Sequence, residues 1–197
     1  VSNHDTTASV KNPALLAWQR AAELRWSSAY LEESARMPWQ GHAFAFGLPI
    51  DFLGLGTALR FDAIAPPRGS LLPNTQYLTW ATGIRISELS ALGFSYQHTY
   101  SDALWMDGLS SFGLGWTLRP FNVFGLGVAG RALNSPTNDF GGELSPTWDV
   151  GLSFRPLGTD ALEVGLEASY ALPRYSPETM STRGVVGVRI PGFGRVR

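Results

Sequence analysis

Charged side chains recur at every second position in segments whose other positions are apolar. In "TWDVGLSFRP" (147–156), Asp149 and Arg155 share one face, because successive side chains of an extended strand point to opposite faces. The same parity selects six arginines and four carboxylates: Arg25, Arg60, Asp62, Arg85, Arg131, Asp149, Arg155, Glu163, Glu167 and Arg189. Arginine forms planar bidentate pairs with carboxylates. We therefore expect a network of ion pairs, with a binding or conduction site as the alternative.

A catalytic constellation is not recognisable. His4, His42 and His98 stand apart, and no serine and aspartate can be assigned to them as a triad. Glu163 and Glu167 would lie about 13 Å apart along one strand, too far for a catalytic carboxylate pair. Cysteine is absent and no metal-ligand spacing occurs, so no metal and no cofactor are predicted. Whether the protein is an enzyme stays open.

The overall composition restricts the class of protein. The 197 residues carry a formal net charge of −1, which gives no basis for a nucleic-acid partner. Lys11 is the single lysine, whereas soluble proteins usually cover their surface with lysine and glutamate. No apolar run reaches the roughly 18 residues that a transmembrane helix requires.

Alternating segments occur along most of the chain. We count about ten, each roughly 9–12 residues long and the first over about 23–31, which is the length of a tilted membrane-spanning strand. Clear examples are "LGLGTALRFDA" (53–63), "YLTWATGIRI" (77–86), "SSFGLGWTL" (110–118) and "ALEVGLEASYAL" (161–172).

The connections between these segments alternate in length. Long connections are expected over 32–40, 65–76, 134–146 and 173–181, and short ones near 49–51, 87–90, 119–122 and 156–160. Up-and-down barrels of bacterial outer membranes have short periplasmic turns and longer outer loops. The alternation therefore favours such a barrel.

The two faces of the segments differ in size as well as polarity. The second face carries glycine, serine, threonine and scattered charge, too little to solubilise a protein whose apolar face is turned inward. We therefore predict an all-β fold: an antiparallel up-and-down transmembrane β-barrel in the outer membrane of a Gram-negative bacterium. Its apolar face, with tryptophan and tyrosine girdles, would contact outer-membrane lipid. A soluble β-sandwich or lipocalin-like barrel is the alternative.

The N-terminal segment, 1–22, is different in kind. The stretch 11–23 predicts a short helix, with Asn12 as its cap and Pro13 at its first position. It could plug the barrel or cap its periplasmic mouth. The barrel itself is expected over 23–197.

The end of the chain, "VRIPGFGRVR", differs from the terminal aromatic strand that is usual in such barrels. We therefore expect that the barrel could be incomplete at its C-terminus. Another polypeptide, or a longer precursor, could then supply further strands or a periplasmic domain.

The opening carries a resemblance. The stretch "DTTASVKNPALLA", followed by the strand "ELRWSSAYLEE", resembles the start of the FadL-type outer-membrane barrel superfamily through Asn12, Pro13 and Ala14. This resemblance implies an uptake channel for small hydrophobic molecules, although FadL-type barrels have more strands than we count. The opening is also similar to the barrel-like N-terminal part of myxobacterial SppA-type proteins, which implies that a serine–lysine peptidase region could follow in a longer precursor.

Three functions are consistent with these observations. We favour a porin-like barrel that acts as a membrane anchor or scaffold for a partner or a further C-terminal region. A FadL-type uptake channel is the first alternative, and the membrane part of a signal peptide peptidase-like protein is the second.

Overall fold

The computed structural model describes residues 6–30, 40–66, 73–121, 123–157, 162–172, 179–190 and 194–196. In this part of the chain a single antiparallel sheet holds eleven strands in chain order. They are β1 (Glu23–Tyr30), β2 (Gln40–Ile50), β3 (Leu55–Ala65), β4 (Thr75–Arg85), β5 (Ser90–Ser101), β6 (Ser110–Phe121), β7 (Phe124–Arg131), β8 (Thr147–Phe154), β9 (Leu162–Ala171), β10 (Thr179–Ile190) and β11 (Gly194–Val196).

The predicted all-β, antiparallel up-and-down fold is confirmed. The described strands number eleven instead of about ten, because the three-residue β11 pairs with the end of β10. Among the described residues each strand pairs with its chain neighbours, and no pairing joins β1 to β11, so the sheet is open there. None of the helices in this part of the chain is long and apolar enough to cross a membrane.

The connections alternate in length as expected for most of the chain. At one end of the sheet the strands are joined over 31–39, 66–74, 102–109, 132–146 and 172–178. At the other end they are joined over 51–54, 86–89, 122–123, 155–161 and 191–193. We call these the long-loop end and the short-turn end. The turn after β2 is a 3₁₀ helix, Asp51–Leu53, closed by Gly54 in the left-handed region (φ 58°), so Leu53 precedes the strand instead of starting it.

One face of the sheet, which we call the outer face, is apolar and exposed. The cross-strand register places Phe46, Leu59 and Trp80 in one continuous row. The register places further exposed apolar residues on this same face: Leu24, Trp26, Phe44, Leu92, Phe112, Leu114, Trp148, Val150, Leu152, Phe154, Val164, Leu166, Met180 and Val186. Leu24 is 80% exposed and Leu166 is 62% exposed, so these side chains are not a protein core.

The N-terminal segment, residues 6–19, lies on the opposite, inner face, mainly against β3–β6. This segment contains helix α1 (Ala8–Lys11) and a 3₁₀ helix (Pro13–Trp18). The predicted start, with Asn12 as the cap and Pro13 at the first position, is confirmed, but the helix is a 3₁₀ helix and ends at Trp18 instead of reaching residue 23. Short helices are marginal by themselves, so contacts with the sheet decide where they end.

The sheet curves around the N-terminal segment. The Thr6 amide donates to Glu23 in β1 at 2.9 Å, while Lys11 forms an ion pair with Glu167 in β9. In a flat sheet β1 and β9 would lie roughly 38 Å apart, from eight strand spacings of about 4.8 Å. The chain from Thr6 to Lys11, helical over its last four residues, spans only about 12 Å. The strands must therefore wrap around the segment.

Candidate functional site

The candidate site is the inner face together with the N-terminal segment that fills it. Leu15 and Leu16 are completely buried against Ala58 of β3 and Ala81 of β4. Ala14 and Ala17 pack in the same way against Ala91 of β5. Small residues on the strands leave room for the larger side chains of the segment.

A row of glycines lies directly beneath the N-terminal segment. Gly56, Gly83, Gly93 and Gly115 are direct cross-strand neighbours on β3, β4, β5 and β6. A Cβ atom at Gly83 would lie 2.6 Å from the Pro13 carbonyl oxygen, and a Cβ at any of the other three would overlap the segment too. Close approach of two backbones requires glycine at such positions. We call these four residues the glycine row.

The Asn12-Pro13-Ala14 element holds the segment against the glycine row. The Asn12 side-chain oxygen accepts from the Ala14 amide at 3.1 Å, which caps the 3₁₀ helix. Its amide nitrogen donates to the carbonyl oxygens of Trp116 in β6 (3.1 Å) and Val128 in β7 (3.3 Å). Asn12 thus joins the segment to two strands with a side chain that is itself buried.

Trp18 closes the segment at the short-turn end. The guanidinium groups of Arg85 and Arg119 lie over its ring, at 5.1 Å and 4.8 Å from the ring centroid. Arg85 also donates to the carbonyl oxygen of Ala17 at 3.3 Å. Among the described contacts, Arg85 thus holds the segment by cation–π stacking and a backbone hydrogen bond, where we had expected a carboxylate partner.

Several of the predicted charges pair on the inner face. Arg60 donates to Asp62 through two nitrogens, one of them Nε at 2.7 Å from Oδ2. Arg131 lies 2.8 Å from Asp149, which also accepts from the hydroxyl of Ser169. These two pairs lie on strands at different places around the curved sheet.

Two further carboxylates are paired, one of them with the segment itself. Arg155 lies 3.5 Å from Glu163, whose residue is only 2% exposed. Glu167 lies 3.8 Å from Lys11 of the N-terminal segment. The described ion pairs are thus distributed around the inner face, and one of them fastens the segment to β9.

The other two predicted charges, Arg25 and Arg189, lie in strands of the sheet. Arg25 is exposed on the inner-face side of β1, opposite Ala45 of β2. Arg189 belongs to β10, and its side chain lies outside the described part of the structure.

Three residues of the site, Lys11, Trp18 and Arg119, were not predicted as site residues. Lys11 is the sole lysine of the chain, and Trp18 is a large aromatic among small helix formers, so both carried a signal. Arg119 carried a signal as well, because it continues the inner-face alternation of Gly115 and Thr117, but we had assigned it to the short connection over 119–122.

The described histidines lie on the outer face and pair with serines across strands. His98 Nδ1 lies 2.7 Å from the Ser110 hydroxyl, and His42 Nδ1 lies 2.9 Å from that of Ser28. In the described ranges no group of three or more histidine, aspartate or glutamate side chains could hold a metal ion.

Comparison with protein-family models, curated proteins and solved structures finds no match for this chain. The resemblance to FadL-type barrels, through the Asn12-Pro13-Ala14 element, and the resemblance to SppA-type proteins, through the opening stretch, therefore stay predictions from the sequence. The site must be interpreted from its own geometry.

Proposed function

We propose that the protein is an outer-membrane β-barrel that serves as a membrane anchor or scaffold, with its interior filled by the N-terminal segment. The observation that carries this proposal is the contrast between the faces of one sheet. The outer face exposes large apolar side chains on nearly every strand, and the inner face is occupied by the N-terminal segment and ion pairs.

The outer face supports contact with lipid. Apolar surfaces of this extent are rare on water-soluble monomers and mark membrane or partner contacts. Polar groups within the face also have protein partners: Trp80 Nε1 donates to the Thr57 hydroxyl and Trp116 Nε1 to the Ser90 hydroxyl, at 3.1 and 3.0 Å. Internal satisfaction of polar groups is what hydrocarbon demands and water does not.

The inner face favours an anchor over an uptake channel. The segment lies directly on the glycine row, and Arg131 and Arg155 of the inner face are paired with carboxylates of the protein itself. A conducting or transporting lumen needs groups that are available to a solute. Uptake of hydrophobic molecules would first require the segment to move away from the glycine row.

The open edges of the sheet support a partner polypeptide. Among the described residues no pairing joins β1 to β11, so each of these two strands has one edge without a neighbour in the sheet. Unpaired strand edges are ready to pair with another chain. A strand of a partner polypeptide could therefore add to either edge.

The occupied interior can be tested by conductance and uptake. The chain in planar bilayers should show no stable ion-conducting steps, and vesicles that contain it should take up a fluorescent fatty acid no faster than protein-free vesicles. Leu152→Ala, an outer-face variant, is the matched control and should behave identically. Steady conductance or accelerated uptake by the unaltered chain would favour the channel instead.

The anchor role is tested by mass. The protein extracted unboiled from its native membrane should have a mass above 21.4 kDa, or should release a second polypeptide on boiling. A mass near 21.4 kDa before and after boiling would leave nothing to anchor and would contradict the proposal.

A further inference from the structure

Two long connections at the long-loop end form one continuous unit. Asn138 donates through Nδ2 to the carbonyl oxygens of Leu104 (2.8 Å) and Asp107 (3.0 Å). Its side-chain oxygen accepts from the amide of Gly142 at 2.9 Å. Gly142 in turn lies so close to the Trp105 carbonyl that a Cβ atom would not fit. We call residues 102–109 and 132–146 together the loop platform.

The loop platform is also fixed to the strands below it. Asn134 accepts from the Phe112 amide at 3.0 Å and donates to the Ser110 carbonyl at 2.8 Å, which holds the second loop to β6. Asp107 accepts from the Ser101 amide at 3.0 Å, which holds the first loop to β5. The platform is therefore preorganised, and a partner would not have to order it on binding.

Three large apolar side chains of the platform are exposed. Leu104 is 57% exposed, Trp105 is 53% exposed and Phe140 is 62% exposed. The Asn138 side chain bonds to the Leu104 carbonyl oxygen and to the Phe140 amide, so it links the backbones of these two residues. Exposed aromatic residues on a rigid support are typical anchors of binding surfaces.

The charges of the two described loops have one sign. The ionisable residues of the two loops are Asp102, Asp107, Asp139 and Glu143, and neither loop contains lysine or arginine. The neighbouring Arg131, at the end of β7, is paired with Asp149. The platform therefore attracts cationic partners and repels the phosphates of lipid headgroups.

From this combination we propose that the loop platform is a docking surface for a basic amphipathic polypeptide. Apolar side chains of the partner would contact Leu104, Trp105 and Phe140, and its lysines or arginines would face the surrounding carboxylates. This role goes beyond anchoring, and it stands on the loops alone, so it can fail or hold independently of the proposed function.

The test uses the full chain in nanodiscs of zwitterionic phosphatidylcholine and two synthetic amphipathic peptides. The peptides share one pattern of leucine and tryptophan and differ only in carrying lysine or glutamate at the polar positions. By calorimetry the lysine peptide should bind, and more weakly as salt is raised, whereas the glutamate peptide should not. Equal binding of both peptides would overturn the proposal.

Two variants and one control locate the binding. Trp105→Ser combined with Phe140→Ser should weaken lysine-peptide binding by roughly tenfold or more, as loss of interface anchors does. Asp139→Asn combined with Glu143→Gln should weaken it and reduce its salt dependence. Phe52→Ser, at a residue 87% exposed on a short turn at the other end, is the matched control and should have no effect. An equal loss with Phe52→Ser would overturn the proposal.

Lipid coverage is the competing occupant and has its own readout. A nitroxide attached at Phe140→Cys should collide with a water-soluble nickel reagent more readily than with oxygen. The reverse preference would mean that lipid covers the platform, and it would overturn the proposal.

Discussion

Thr57 shows at the scale of one residue how the outer face is built. Its hydroxyl accepts from Trp80 Nε1 and donates to the Ala81 carbonyl oxygen, both at 3.1 Å. A single small side chain thus satisfies an indole N–H on a face that is mostly apolar. In water the Trp80 N–H would not need this protein partner, since it could donate a hydrogen bond to solvent.

Replacing Thr57 by valine should therefore destabilise the protein in a bilayer. Valine keeps the shape but leaves the Trp80 N–H without its partner, and we expect the free energy of unfolding to fall by about 1 kcal/mol. Urea-induced unfolding in lipid vesicles measures the change. Thr57→Ser, which retains the hydroxyl, should stay close to the unaltered protein. Equal stability of the two variants would mean that the Trp80 N–H bonds to solvent.

Single residues also show what the sequence could predict. Strand parity assigned Arg60 and Asp62 to one face, because parity requires only that the segment be extended. The partners of Arg85 could not be read in this way. They belong to the N-terminal segment, 68 residues away from Arg85, and depend on the curvature of the sheet.

The N-terminal segment and the glycine row decide the architecture at the scale of elements. The 3₁₀ helix lies on four consecutive strands, with Gly93 directly beneath Pro13 and Ala14. Any side chain at this position would have to occupy the space of the segment's backbone. Backbone shifts of this kind are more costly than the repacking of a flexible side chain.

Gly93→Val should accordingly loosen the segment. We expect a loss of about 1–3 kcal/mol in the free energy of unfolding, as for overpacked interiors, together with faster protease cleavage in residues 6–19. Chemical unfolding and timed proteolysis followed by mass spectrometry measure the two effects. Gly184→Val is the control, since a Cβ atom at Gly184 meets nothing within 4 Å. Identical behaviour of both valine variants would contradict the seating of the segment on the glycine row.

Elements were predictable to the extent that their own pattern fixes them. The strand of "TWDVGLSFRP" was recognisable because its period-two alternation extends over the whole of β8, Thr147–Phe154. The helix over 11–23 was overextended, since alanine-rich sequence after Trp18 favours a helix locally. The structure instead leads this stretch into β1, where pairing with β2 replaces the helical hydrogen bonds.

At the scale of the whole molecule, the decisive property is which solvent meets each face of the sheet. The register fixes two faces along every strand, and in β8 the exposed Trp148, Val150, Leu152 and Phe154 alternate with Asp149, Gly151 and Ser153. Sequence alone predicted this alternation and the all-β fold. Sequence alone did not decide whether the N-terminal segment is a plug or a cap, because its place depends on how the entire sheet curves.

The measurement that tests the central claim most directly is a nitroxide scan of residues 148–154 in lipid bilayers. The chain has no native cysteine, so each single-cysteine variant carries one label. Collision rates with oxygen, which concentrates in lipid, and with a water-soluble nickel reagent are compared at each position. The account predicts oxygen maxima and nickel minima at 148, 150, 152 and 154, alternating with low oxygen accessibility at 149, 151 and 153. High nickel accessibility at the even-numbered positions would place the apolar face in water and contradict the account.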